Sequence, residues 1–287
     1  MKILICGASG FVGRHLTHSL RNTGHTVIRA VRQPSEPDDI FVDYSNDTGK
    51  EVWLPRLKGI TAIVNAVGVL RDSPGNPMQK LHAETPSALF AAAAEANVER
   101  VVHISALGVD SGIDTAYFST KLLAEHALKA LPGQLPWLCL RPSIIYGEDG
   151  ASAKMFGLLA KLPVHALPMG GRQRLQPVHI DDICAAVSVW LSDPGAVSQI
   201  VAAVGAEATD MRGMLDSYRQ QLGRRPAWHI TVPALLVTMA AQIGDHIPAS
   251  PLCSDTLTML TAGNTADASG YARLLGRIPK SYRTFIA

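Results

Sequence analysis

The sequence predicts an α/β fold built on a doubly wound parallel sheet with a smaller, mainly helical C-terminal lobe. Three observations carry that prediction. Short apolar runs alternate with helix-spaced segments through the first half of the chain. A turn with three glycines joins the first apolar run to the first helical segment. The 287 residues, 47% of them apolar, suffice to bury a sizeable core.

The elements follow in order. Ile3 to Cys6 is a buried strand closed by Gly7. Phe11, Val12, Leu16 and Leu20 recur at helical spacing, and Gly24 stops that helix in the left-handed position. Thr26 to Val31 reads as the second strand, Ile40 to Val42 as the third and Ala62 to Val67 as the fourth. An alanine-rich helix spans Pro86 to Ala96. Val101 to Ile104 is the fifth strand, Phe118 to Ala130 a helix, and Trp137 to Leu140 the sixth strand. After Arg141 proline and glycine break the rhythm. Gln176 to Ile180 reads as a further strand leading into a helix capped by Asp181 or Asp182, and from Thr209 onward the pattern is mainly helical. The expected division is residues 1–145, with 176–204 returning to it, against 146–175 and 205–287.

Several function classes have no support. The net charge is +2 and no Lys/Arg-rich run stands out, so no nucleic-acid face is expected. Cys6, Cys139, Cys184 and Cys253 do not pair at metal-ligand spacing, so no metal site is expected, and a reducing, cytoplasmic setting suits them. With the first strand at Lys2, no signal peptide is expected. The apolar stretch from Val232 to Ile243 is too short for the ~20 residues of a membrane span. A hydrophobic pocket wall, a peripheral membrane contact and a packed helix all account for it.

The glycine turn is the firmest chemical signal. In Gly7-Ala8-Ser9-Gly10-Phe11-Val12-Gly13 the first glycine allows a tight turn. The second lets backbone approach a pyrophosphate, and the third lets the helix pack on the strand. The helix N-terminus then offers free N–H groups and a positive dipole end to phosphates. Lying between a first strand and a matching helix, this motif predicts a Rossmann-type dinucleotide site that uses Gly7, Ser9, Gly10, Phe11, Val12 and Gly13.

The end of the second strand separates the two nicotinamide cofactors. An acidic side chain there would bind a ribose 2′-hydroxyl and repel a 2′-phosphate. The position holds Val31 and then Arg32, whose guanidinium suits a phosphate. NADP(H) is therefore expected over NAD(H), with Arg29 as a second candidate. Asp43 and Tyr44, after the third strand, are placed to border the adenine.

Tyr117 and Lys121 lie four apart, on one face of a helix. A phenol near an ammonium and a positive nicotinamide is expected to have its pKa lowered from about 10. It can then exchange a proton with a carbonyl or hydroxyl as hydride moves, while Lys121 holds the nicotinamide ribose. The pair gains weight from its place, just after the fifth strand.

Further segments fall in a familiar order: Asn65-Ala66-Val67-Gly68, Val102-His103-Ile104-Ser105, Arg141-Pro142-Ser143-Ile144-Ile145-Tyr146-Gly147 and Pro177-Val178-His179-Ile180-Asp181-Asp182. With the glycine turn and the Tyr117/Lys121 pair, the chain resembles the extended or atypical branch of the short-chain dehydrogenase/reductase superfamily over about two-thirds of its length. It is similar to the subgroup of the nucleotide-binding accessory subunit of mitochondrial complex I and its bacterial relatives; the segment Leu257 to Asp267 and Leu275-Gly276-Arg277-Ile278-Pro279 fit loosely. The resemblance implies that Ala66, Val67 and Gly68 line the cofactor after the fourth strand. It also implies that Pro142, Ile144 and Ile145 pack on its nicotinamide side, and that Asp181 orients the segment between lobes.

One position departs from that family. Its catalytic Ser/Thr falls at Ala106 here. Ser105, or Ser111 from the next loop, is the candidate replacement, and losing such a donor costs ~10²–10³ in rate. His103 is expected in the core, His179 beside the cleft, and Arg172 and Arg174 in a loop that contacts substrate in relatives. The leading expectation is an NADP(H)-dependent oxidoreductase acting on a small-molecule carbonyl or alcohol, a hydrophobic one if Val232 to Ile243 lines its pocket. The alternatives are a non-catalytic nucleotide-binding subunit, assembly factor or redox sensor, and a sugar-nucleotide epimerase or dehydratase.

Overall fold

Lys2–Cys6 forms β1, a strand whose last four residues are fully buried because their alternating side chains meet helices on both faces of the sheet. The computed structural model describes residues 1–73, 75–247, 250 and 252–286. The elements that follow are α1 (Phe11–Asn22), β2 (Thr26–Val31), β3 (Ile40–Phe41), α2 (Lys50–Trp53), β4 (Ala62–Asn65), α3 (Thr85–Glu95), β5 (Arg100–Ile104), α4 (Ala116–Lys129) and β6 (Trp137–Pro142). Then come β7 (Ile145–Tyr146), α5 (Ala151–Lys161), β8 (Val164–Pro168), β9 (Arg174–Leu175), β10 (Val178–His179), α6 (Ile180–Ser192), β11 (Gln199–Ala203), β12 (Thr209–Asp210), α7 (Met211–Gln221), β13 (Trp228–Val232), α8 (Ala234–Asp245), α9 (Ser254–Thr261) and α10 (Ser269–Leu275).

The chain forms two units: Met1–Arg141 with Cys184–Val201, and Pro142–Ile183 with Ala202–Ala287. The central sheet has seven strands in the order β11-β6-β5-β4-β1-β2-β3. The pairings β1 with β2 and β4, β2 with β3, β4 with β5, and β5 with β6 are all parallel. This is the doubly wound arrangement expected from the alternating runs. The chain reverses direction of winding between β1 and β4, where the register sets Cys6 beside Asn65. A ligand crevice is expected outside the strand ends at such a point.

The first unit is held by a core that joins Leu4, Cys6, Trp53, Leu57, Ile63, Leu89, Phe90, Val101, Leu128 and Cys139. All four cysteines are buried and free. Gly24, at φ +85, ends the turn after α1 in the left-handed position, as expected.

The second unit is less uniformly helical than its sequence suggests. Besides α5 and α7–α10 it carries the two-stranded pairings β10–β7, β12–β9 and β13–β8. Of the strand expected over Gln176 to Ile180 only Val178–His179 forms, as β10, and Ile180 already opens α6. Pro177 has no N–H for a ladder, and the Gln176 side chain binds the Gly205 carbonyl at 2.9 Å. Asp181 and Asp182 lie in the first turn of α6 rather than at its cap, a position the helix dipole still favours. Asp182, fully buried, meets Arg277 Nη2 at 2.5 Å and the Lys280 N–H at 2.7 Å; Asp181 meets Lys280 Nζ at 2.6 Å. No helix among the described residues is long and apolar enough to cross a membrane. The stretch from Val232 contributes most of α8, which packs through Val237, Ala241 and Gly244 and exposes Leu235, Leu236, Met239 and Ile243.

Candidate functional site

The glycine turn is built by exclusion of side chains. Gly7 stands at φ +78, and a Cβ there would lie 3.0 Å from the Ala66 carbonyl and the Val67 nitrogen. At Gly13 a Cβ would come within 2.7 Å of the Gly7 carbonyl carbon, and closer still to its oxygen. The two residues therefore bring β1, the loop after β4 and the first turn of α1 into backbone contact. The Gly10 N–H donates to the Gly7 carbonyl at 2.9 Å and closes the turn.

Gly10 is the N-cap of α1, and no side chain caps that end. The first turn holds no acidic residue. Ser9 and Gly10 are exposed, Phe11 and Val12 half-buried. A helix N-terminus with uncapped N–H groups, no competing carboxylate and an exposed glycine approach is a suitable cradle for a pyrophosphate. These residues fit a dinucleotide.

At the adenine end the candidates separate. Arg32 follows β2, is exposed, and reaches Asn76 Oδ1 at 3.4 Å. Arg29 is instead paired with Glu36 and with Asp39, at 3.2 Å in the latter case, so it is not available to a phosphate. Asp43 is half-buried; its carboxylate accepts from the Ser45 N–H at 3.0 Å and from Asn46 Nδ2 at 2.7 Å, holding a local turn. Tyr44 does not border the adenine position as expected. It is buried in the core, edge-on to Trp53, and donates to Asn65 Oδ1 at 3.2 Å. The alternation of that segment turns Tyr44 inward, and its hydroxyl meets a buried amide that needs a donor.

Asn65 organises the loop after β4. Its Oδ1 also accepts from the Val67 N–H at 3.2 Å, and its Nδ2 donates to His103 Nδ1 at 3.1 Å. His103 is thus a core residue, as expected, and burial pushes its pKa well below the ordinary value. Ala66, Val67 and Gly68 continue from there. Gly68 faces Lys121, whose Nζ would sit 3.4 Å from a Cβ at that position.

Lys121 is buried and its ammonium donates to two strand-end carbonyls, Val67 at 3.0 Å and Ile104 at 2.9 Å. It therefore ties the loop after β4 to the end of β5. Burial lowers its pKa to about 8. Tyr117 lies one turn earlier on α4, half-buried, its ring edge-on to His82 at 5.4 Å. Burial raises its pKa to about 12, the opposite of the lowering expected from a nearby ammonium. Lys121 directs its charge to the two carbonyls, and desolvation of the phenol dominates. At neutral pH Tyr117 is a phenol, a proton donor.

The hydroxyl expected beside this pair is absent from its place. Ser105 is buried and its Oγ donates to Glu125 Oε1 at 2.6 Å. Glu125, fully buried, is held in a two-point pair by Arg141, with Nε to Oε1 at 2.9 Å and Nη2 to Oε2 at 2.7 Å. Ser105 is thus committed to satisfying a buried carboxylate. Ser111 is exposed and donates to the Gly108 carbonyl at 2.6 Å, inside its own turn. Neither replaces the hydroxyl missing at Ala106.

Two contributors escaped the sequence reading. Glu125 continues the Tyr117/Lys121 face at four-residue spacing, a signal present but unread. His82 sits in a π-helical turn, Lys80–Glu84, with no pattern to single it out. Its Nε2 accepts from the Val69 N–H at 2.9 Å, which places its proton on Nδ1, facing Thr120 Oγ1 at 3.1 Å. Burial, then the Lys121 charge, lowers its pKa to about 2, so it is neutral and positions the loop 67–69 against α4.

The remaining expected residues belong to the second unit. Pro142 is buried, Ile144 and Ile145 half-buried, and β7 pairs with β10. His179 contacts Tyr146, Phe285 and Asp181 there. Arg172 and Arg174 are exposed.

Known proteins share this architecture. The chain is 21% identical over 252 residues to the 40 kDa subunit of mitochondrial NADH-ubiquinone oxidoreductase of Neurospora crassa, covering 83% of this chain and 64% of that protein. It is 28% identical over 201 residues to a ceramide reductase of Caulobacter vibrioides, covering 67% and 61%. The chain thus spans somewhat under two-thirds of the length of these two relatives. A solved NADPH-dependent quinone oxidoreductase of Escherichia coli, complexed with NADPH, superposes with a TM-score of 0.76 at 17% identity, over 99% of this chain and 98% of that one. A UDP-glucuronic acid 4-epimerase of Bacillus cereus, complexed with UDP-glucuronic acid and NAD, does so with 0.69 at 20%, over 100% and 96%. Residues 3–203 match the model of the NAD dependent epimerase/dehydratase family, and over that span, which contains the glycine turn, Tyr117 and Lys121, the chain belongs to this family.

Proposed function

We propose that this chain binds NADP(H) and interconverts a carbonyl and an alcohol, with Tyr117 as the acid/base. When bound, the nicotinamide supplies or accepts the hydride. The observation that carries the reading is the anchoring of Lys121 to the Val67 and Ile104 carbonyls, one turn after Tyr117. It places the phenol's helix at the ends of β4 and β5, next in the sheet to the β1 end that bears the glycine turn. In the reducing direction the neutral phenol donates its proton to the carbonyl oxygen, and Lys121 fixes the helix that carries the phenol against the ends of β4 and β5. Arg32 is the residue assigned to the 2′-phosphate, because Arg29 is occupied. The match to a reductase among the relatives supports the reaction class.

A second reading, a nucleotide-binding protein without turnover, is favoured by one observation: Ser105 is committed to Glu125 and position 106 is alanine. The relative that is a respiratory-complex subunit agrees with it. An epimerase reading is less supported, since Arg32 rather than an acidic residue follows β2. Replacement of Tyr117 by Phe separates the first two. Oxidation of NADPH with a responsive carbonyl is expected to fall by about 10²-fold or more, while NADPH affinity stays at the wild-type level. Unchanged oxidation in Tyr117→Phe would remove the catalytic reading.

A further inference from the structure

The second unit holds a cluster of metal-ligating side chains that the nucleotide reading does not use. β8 and β13 pair in parallel with His165 in register with His229, so their imidazoles project from neighbouring strands on one face, ring centroids 5.5 Å apart. Asp216, from α7, joins them. Its Oδ1 lies 2.8 Å from His229 Nε2 and 3.8 Å from His165 Nδ1. One donor atom from each of the three residues lies within 4.8 Å of the others.

His165 is the telling member. Its side chain is 1% exposed, and neither ring nitrogen has a hydrogen-bond partner among the described residues. The ring lies beside the Ala160 carbonyl, which already accepts from Arg219 Nη1 at 3.0 Å. Buried imidazole nitrogens are normally satisfied, so a ring facing an aspartate and a second histidine with neither nitrogen bonded has a ligand's environment without the ligand.

We propose that His165, Asp216 and His229 bind a divalent first-row transition cation, Zn²⁺ foremost, leaving a fourth position for water. Two imidazoles and one carboxylate suit this ion class. Tetrahedral coordination with bonds of ~2.0–2.1 Å needs donors about 3.4 Å apart. The observed spacings straddle that value. The adjustment falls on Asp216 and His229, whose side chains are 40% and 18% exposed and so leave an entry path. Two cations lie nearby. Arg212 Nε is 3.9 Å from Asp216 Oδ2, and Arg219 is held by the Leu162 and Ala160 carbonyls. They temper affinity without occupying the donor atoms toward the histidines. The bound ion would staple β8 and β13 to α7.

The test uses the untagged full chain stripped with chelator, titrated with Zn²⁺ by calorimetry and with Co²⁺ by visible absorption. Stoichiometric Zn²⁺ binding, a four-coordinate Co²⁺ spectrum and a metal-dependent rise in Tm are expected. Asp216→Asn and His229→Gln should each weaken binding by about 100-fold or more and abolish the Tm rise. The control His18→Gln, at an exposed histidine elsewhere, should change neither. Absence of tight Zn²⁺ binding by the wild type, or equal binding by the Asp216 and His229 variants, overturns the site. If a variant fails to fold, the wild-type Co²⁺ spectrum decides: only the six-coordinate aqueous spectrum would mean that no site exists.

Discussion

Ser105 donates its hydroxyl to Glu125 Oε1 at 2.6 Å, and that bond separates the structural from the chemical role of the β5 end. The carboxylate is fully buried and needs every partner it has. Ser105→Ala is expected to cost about 1–3 kcal/mol of stability by leaving that acceptor short of a donor. Turnover per folded molecule should stay unchanged. Ala106→Ser should do the reverse, raising kcat/KM about tenfold by supplying a donor near the reacting oxygen. Chemical denaturation and steady-state kinetics on the two variants check this; a loss of kcat in Ser105→Ala at intact stability would reassign the hydroxyl.

The packing of Gly13 on the Gly7 carbonyl makes the turn intolerant of a single methyl. Gly13→Ala should destabilise the protein by about 1–3 kcal/mol and abolish dinucleotide binding, because the overlap displaces the first turn of α1. Gly24→Ala is the matched comparison. Its φ is +85 but no atom lies within 4 Å of the added Cβ, so it should cost about 1 kcal/mol and leave binding intact. Calorimetric binding and thermal denaturation of both variants measure the contrast.

His82 makes stability fall on the acid side. Its folded-state pKa is about 2, against about 6.5 when unfolded. As the pH drops below 6.5 the unfolded chain takes the proton first, so the folded state loses ground progressively. From pH 6.5 to 5 that amounts to about 2 kcal/mol from this residue. His103, also pushed down by burial, adds loss of the same sign. His82→Gln, able to keep an acceptor for Val69 and a donor for Thr120, should flatten the curve over that interval. Urea denaturation at several pH values would show it; equal slopes for wild type and variant would contradict the assignment.

How legible this was from sequence depended on whether a feature was local. The first six strands and the glycine turn were readable because each rests on a short run whose periodicity or backbone freedom is intrinsic, whereas the seventh, β11, was not read. The exposure of Arg32 at the end of β2 agrees with the strand boundary read there. What failed depended on partners far along the chain. The Tyr44 hydroxyl points inward to reach Asn65, 21 residues later. The commitment of Ser105 needed Glu125 and Arg141 to be seen together. The bonds of Lys121 to the Val67 and Ile104 carbonyls, 54 and 17 residues away, were likewise out of reach. The strand expected at Gln176 was broken by a proline and a side chain that competes for backbone. The His165–Asp216–His229 cluster was invisible for the same reason: its members are spread over three elements.

The most direct measurement for the whole account is a calorimetric titration of the wild-type chain with NADPH and with NADH, repeated on Arg32→Ala. NADPH should bind about tenfold tighter than NADH or better, from a charge-assisted contact on an exposed and therefore screened arginine. Arg32→Ala should bring the two affinities to parity while NADH binding holds. Equal affinities in the wild type, or binding of neither dinucleotide, would contradict the central claim.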